Sequence, residues 1–157
     1  MTVKLLATGK TDSRELGELV AVYTKRLAHY VNFEMETLPG IRNAGRLPQA
    51  RQLQLEGDAL LSKIGPADLV YLLDEKGKAY SSPEFAEFLQ KQMNAGVRNF
   101  VLLIGGPYGF SPDVYARAAG MISLSKMTFS HQMVRLFIVE QLYRAFTILR
   151  NEPYHHQ

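Results

Sequence analysis

Three parts of this 157-residue chain carry groups that could do chemistry. The first is Gly105-Gly106-Pro107-Tyr108-Gly109, directly after the apolar run Val101-Leu102-Leu103-Ile104. Glycines at the carboxyl end of a strand let backbone amides approach a ligand closely, and open α/β sheets bind ligands there. The same residues also suit a plain strand-to-helix turn. The second part, Ser123 to His131, reads Ser-Leu-Ser-Lys-Met-Thr-Phe-Ser-His. Its hydroxyls suit either a second ligand loop or a helix entrance capped by Ser130. The third is spread over the end of the chain. Glu140 and Arg144 stand at i,i+4, an ordinary helix salt bridge unless the helix is buried, where an arginine is costly and a functional role gains weight. Beyond them, Tyr154 and His155 offer ring stacking and an imidazole that titrates near neutrality, on what is otherwise a frayed terminus.

Other chemistries are excluded. There is no cysteine, so disulfides, thiolate metal sites and cysteine nucleophiles are absent. A dinucleotide fold would place G-x-G-x-x-G after the first strand, whereas this glycine loop comes late, has another spacing and contains Pro107. Ala7-Thr8-Gly9-Lys10 lacks the glycine spacing of a P-loop. Nothing near His155 and His156 completes a metal site. The start is too short for a signal peptide, and no run approaches the ~20 apolar residues of a membrane span, which predicts a soluble, cytoplasmic protein.

The elements that must position these groups follow from periodicity. Charged residues at 21% and hydrophobic residues at 46% allow one globular domain over residues 1–157. Strand and helix patterns alternate, which predicts an α/β fold with a mainly parallel sheet flanked by helices. Strands are expected at Val3–Thr8, Phe33–Leu38, Asp68–Asp74, Asn99–Ile104 and Met121–Leu124, with Glu75 to Lys78 as a turn. Helices are expected after Asp12 or Ser13 (with Leu16, Leu19, Val20, Tyr23, Leu27, Tyr30 and Val31 on the apolar face), then around Leu53 to Ile64, from Ser82, from Ser111-Pro112, and over His131–Leu149. The last helix is apolar nearly all round, including Met133, Val134, Phe137 and Leu142, which points to burial against a second copy of the chain.

Net charge is only +3, yet cations cluster. Arg42, Arg46 and Arg51 share a segment with no acid between Ile41 and Arg51, and Lys126, Arg135, Arg144 and Arg150 outnumber Glu140 and Glu152 after Leu124. Such clusters either track a phosphate backbone or form a solvated surface.

Taken in order, Leu-Leu-Ile-Gly-Gly-Pro-Tyr-Gly (102–109), Ser-Leu-Ser-Lys-Met-Thr-Phe-Ser-His (123–131) and Arg-Ala-Phe…Asn-Glu-Pro-Tyr-His (144–155) resemble the RlmH-type SPOUT methyltransferases over essentially the whole chain. The resemblance implies a trefoil-knotted α/β domain acting as a homodimer. Its reaction would be methyl transfer from S-adenosylmethionine (SAM) to N3 of a pseudouridine in 23S rRNA on the assembled ribosome, with no metal. Carried over by position, Leu73, Asp74, Gly105 and Gly106 would bind the cofactor. So would Leu124, Ser125, Lys126, Met127, Thr128 and Phe129, through main-chain groups. Arg144, Tyr154 and His155 would be catalytic, with Arg144 serving RNA placement or the wall that a partner chain adds to the site. His155 would act as base or water-orienting group and Tyr154 would stack on the target base. Arg42, Arg46, Arg51 and His131 would contact RNA. The chain departs from the family at 156, where His stands in place of Arg or Lys. Two other readings remain beside it: a non-catalytic ribosome-binding factor, and a SPOUT enzyme acting on another RNA such as tRNA.

Overall fold

Thr2–Thr8 (β1), Asn32–Leu38 (β2), Leu69–Ala79 (β3), Asn99–Ile104 (β4) and Gly120–Ser123 (β5) form one sheet in the order β2-β1-β4-β3-β5. Every strand pair is parallel in this computed structural model, which describes residues 1–156. The helices are Arg14–Leu27 (α1), Gln49–Leu61 (α2), Ser82–Asn94 (α3), Pro112–Arg117 (α4) and His131–Leu149 (α5). The expected α/β architecture is therefore present.

The central strands are apolar on both faces because both faces are covered. Along β4, Phe100, Leu102 and Ile104 join the core under α1, α3 and α5, while Val101 and Leu103 join the core under α2 and α4. β2 lies at an edge, and its half-buried Phe33 and Met35 alternate with the exposed Asn32, Glu34 and Glu36.

Strand ends shift by a residue against the sequence expectation, and four further boundaries differ from it. α1 stops at Leu27, so Tyr30 and Val31 pack from the following turn, not from the helix. α2 likewise ends before Ile64. α3 is capped by Ser81, whose hydroxyl and Glu84 form a reciprocal capping box, rather than by Ser82. Glu75 to Lys78 is not a turn but part of β3. Both Leu73 and Lys78 pair with Ile122, so the intervening residues make an excursion and the strand returns to β5. At that crossing a Cβ on Gly77 would stand 2.6 Å from the backbone of Met121 and Ile122, so only glycine fits. Local turn propensity loses here to a tertiary contact no local pattern reveals.

α5 is fixed at its start by polar contacts. Arg135 is fully buried, and its Nη2 donates to the carbonyls of Thr8 (2.8 Å) and Gly9 (2.9 Å), while Nη1 donates to Thr11 Oγ1 (3.1 Å). Gln132 Nε2 donates to the Lys10 carbonyl (2.9 Å), and its Oε1 accepts from the Asp12 amide (3.2 Å). Burial pushes the Arg135 pKa down, opposed by the charge of Asp12. Arg135 is thus a structural cation and not part of a phosphate-tracking cluster. Removing it strands buried carbonyls, so Arg135→Met should cost about 2–4 kcal/mol in urea unfolding. An unchanged midpoint would show that these contacts contribute nothing.

Candidate functional site

A cleft of about 610 Å³ opens at the carboxyl ends of β3, β4 and β5. In a parallel sheet these ends face the same way, so the segments that follow them meet. Leu73 and Asp74 come from β3, Gly105 and Gly106 from the loop after β4, and Leu124, Ser125, Met127, Thr128 and Phe129 from the segment after β5. Nine of the ten expected cofactor residues therefore line one cavity. Lys126 does not; it is exposed and outside the lining. His131, expected at RNA, stands in the cleft wall with Val134.

The glycines are dictated by space. A Cβ on Gly105 would lie 2.6 Å from the Gly109 carbonyl oxygen, and one on Gly106 would lie 2.7 Å from Glu56 Oε2. The loop folds back on itself, with Gly106 and Gly109 bridged and the Gly109 amide donating to the Gly106 carbonyl at 3.1 Å. The facing wall is shaped by hydroxyls: Ser123 Oγ donates to the Ser125 carbonyl (2.8 Å), and Ser125 Oγ accepts from the Met127 amide (2.9 Å). Both walls offer main-chain groups and little charge, which suits an adenosine and a methionine moiety held largely by backbone.

Tyr115 was not legible as a site residue. Its Oη donates to Asp74 Oδ2 at 2.6 Å, and Asp74 Oδ1 accepts from the Lys76 amide at 2.9 Å. This ties α4 to the β3 excursion across the cleft mouth. Burial, the bond to Asp74 and the nearby acidic charges push the Tyr115 phenol up to about 12. Tyr108, also unforeseen, lines the same mouth and is exposed.

Arg144, Tyr154 and His155 are brought together, but not at the cleft. Arg144 lies 13 positions beyond His131 on one straight element, roughly 20 Å along a helix rising 1.5 Å per residue. Glu140 organises the group: its Oε1 accepts from Arg144 Nε (3.1 Å) and from Tyr154 Oη (2.9 Å). The Arg144 guanidinium also stands 4.7 Å from the Tyr154 ring centre. His155 Nδ1 lies 3.4 Å from Arg144 Nη1 and must accept in that pairing, so the neutral ring carries its proton on Nε2. The pair seen at i,i+4 is thus half-buried and holds the tail. His156 is exposed and makes no hydrogen bond among the described residues. Glu152 accepts from Tyr30 Oη, fastening the tail to the turn after α1.

Arg42, Arg46 and Arg51 are all exposed, the first two on the segment joining β2 to α2 and Arg51 in the first turn of α2. None is in an ion pair among the described residues. Their segment follows a strand end too, so it lies on the cleft side of the sheet. A separate exposed apolar patch joins the cleft edge to α5: Met127, Phe129, Met133 and Phe137, with the two phenylalanine rings 4.8 Å apart.

The tail contacts make a pH prediction. The bond to Glu152 pushes the Tyr30 phenol up to about 12, and burial with bonds to Tyr23 and Glu140 raises Tyr154. A raised folded pKa stabilises below the ordinary tyrosine range and is lost as pH climbs through the folded value. The tail should therefore stay docked to about pH 10 and release between pH 10 and 12, read by hydrogen exchange of residues 150–156. Glu152→Gln should return Tyr30 towards its ordinary value in a spectrophotometric titration; an unmoved titration would reject the contact.

A family model described as "Predicted SPOUT methyltransferase" matches residues 1–155. The chain is 57% identical to "Ribosomal RNA large subunit methyltransferase H" of Flavobacterium johnsoniae over 157 residues, the full length of both. It is 52% identical to the protein of that name from Porphyromonas gingivalis, again over the whole of both chains. A SpoU methyltransferase of Streptomyces viridochromogenes, solved in complex with AdoMet, overlays with a TM-score of 0.44 at 12% identity, over 96% of this chain and 61% of that one.

Proposed function

The chain belongs to the SPOUT methyltransferase family, and from that premise we propose that it methylates N3 of a pseudouridine in 23S rRNA, using SAM, on the ribosome in the cytoplasm. The observation that carries the reading is the cleft, which gathers nine residues assigned to the cofactor from three separate strand ends. The names of the full-length relatives support an rRNA of the large subunit as substrate.

SAM supplies a methyl group already activated by a sulfonium. The chain's own task is to bind and orient it, to seat the base, and to accept the proton that N3 carries. Backbone around Gly105, Gly106 and residues 124–129 serves the first task. The uncompensated cations Arg42, Arg46 and Arg51 serve RNA phosphates. His155 is the proposed base, and it must let go of Arg144 to take the proton, since Nδ1, the ring nitrogen able to accept, is engaged by that guanidinium. Tyr154 is proposed to stack on the target base.

One chain holds that group far from its own cleft, so we assign the active form to a homodimer in which a second copy supplies it. The exposed patch of Met127, Phe129, Met133 and Phe137 at the cleft edge supports this assignment, since burying such area drives association. Phe137→Glu should shift the sedimentation coefficient to that of a monomer and abolish methyl transfer. A monomeric wild type, or a fully active monomeric variant, would reject the dimer.

Transfer from radiolabelled SAM to ribosomes, separated subunits and naked rRNA from cells lacking the gene tests the activity. Label at one pseudouridine of 23S rRNA, on assembled ribosomes, is expected. His155→Ala should lower turnover about a hundredfold or more. Label on tRNA alone would identify another substrate, and absence of SAM binding would leave a ribosome-binding factor.

A further inference from the structure

Glu56 is a carboxylate without a counter-ion. It lies on α2, about nine-tenths buried, and only one of its oxygens is bonded, accepting from Gln52 Nε2 at 2.9 Å. The other, Oε2, has no partner. No Lys, Arg or His pairs with it among the described residues. The void beside it is too narrow for a water molecule, and the Thr8 and Ser111 hydroxyls in its wall are also unpartnered. A buried charge left in this state is costly unless something compensates it. The bare oxygen lies directly against Gly106, where a Cβ would come within 2.7 Å, and Gly106 lines the ligand cleft. One thin layer of glycine backbone therefore separates this anion from whatever the cleft holds.

We propose that Glu56 is a positioning residue that holds a cationic cofactor in the cleft by its charge, acting across the Gly106 backbone. The inference rests on the SAM reading above and adds a specificity to it. SAM carries a sulfonium charge, whereas its product, S-adenosylhomocysteine, is the same molecule with a neutral thioether. A buried anion just behind the cleft wall favours the charged donor and helps release the neutral product. The low dielectric around a buried carboxylate makes the attraction effective over several ångströms.

The test is calorimetric binding of both ligands to the full-length protein. Glu56→Gln keeps the shape and the Gln52 contact but removes the charge. It should weaken SAM about tenfold while leaving S-adenosylhomocysteine within about twofold. Gln52→Lys, which sets an ammonium beside the same carboxylate, should give the same selective loss and serves if the first variant does not fold. Equal weakening of both ligands would make Glu56 a packing residue and overturn the proposal, as would unchanged binding of both. Wild-type protein that binds neither ligand would instead overturn the SAM reading on which the proposal stands.

Discussion

The buried guanidinium of Arg135, donating to the carbonyls at the end of β1, is the contact on which the arrangement of this protein turns. A parallel strand that ends inside a layered fold leaves carbonyls that water cannot reach. Arg135 satisfies two of them, and Gln132, one turn earlier, satisfies the next carbonyl and an amide. Together they set the start of α5 against residues 8–12. The segment 124–130 runs directly into that start, and His131 and Val134 stand in the cleft wall. One polar latch thus places the far wall of the site relative to the sheet. It also shows why a cation in a basic stretch need not face solvent: the sequence neighbourhood of Arg135 resembles that of an RNA-facing arginine, but its donors are used inside.

The cleft itself is made by close approaches between backbones rather than by bulky side chains. Gly77 lets the β3 excursion cross β5, and Gly105 and Gly106 let the loop after β4 fold over Gly109 and lie against Glu56. Such packing removes side-chain volume from the cleft wall and leaves main chain facing it, and each position is limited by backbone or a buried group. Asp74 and Tyr115 close the rim by tying the excursion to α4.

The candidate site residues are divided between the two ends of α5. Its first turn serves the cleft, and its last turns hold Glu140, Arg144 and the tail residues Tyr154 and His155. Roughly 20 Å of helix separates the two groups. A helix that is apolar almost all round, with Phe137 and Met133 left in solvent, gives a physical route to unite them through a second copy. The same feature explains why α5 packs on α1 and α3 yet still presents an apolar strip.

Much of this was written in local sequence. All five strands, the span of α5 and the positions of the two cleft-lining loops follow from period, glycine placement and serine caps, because those signals act within a few residues. That the glycine loop and most of residues 124–129 line one cleft could be expected from the order of the motifs, though Lys126 points elsewhere. The β3 excursion was not, since Glu75-Lys76-Gly77-Lys78 has turn composition and only the presence of β5 makes it a strand. Nor were Arg135, Glu56 and Tyr115, whose roles depend on partners 127, 50 and 41 positions away. Periodicity records which side of an element is buried. It does not record which distant backbone a buried polar group must satisfy, and that is settled only when the layers pack.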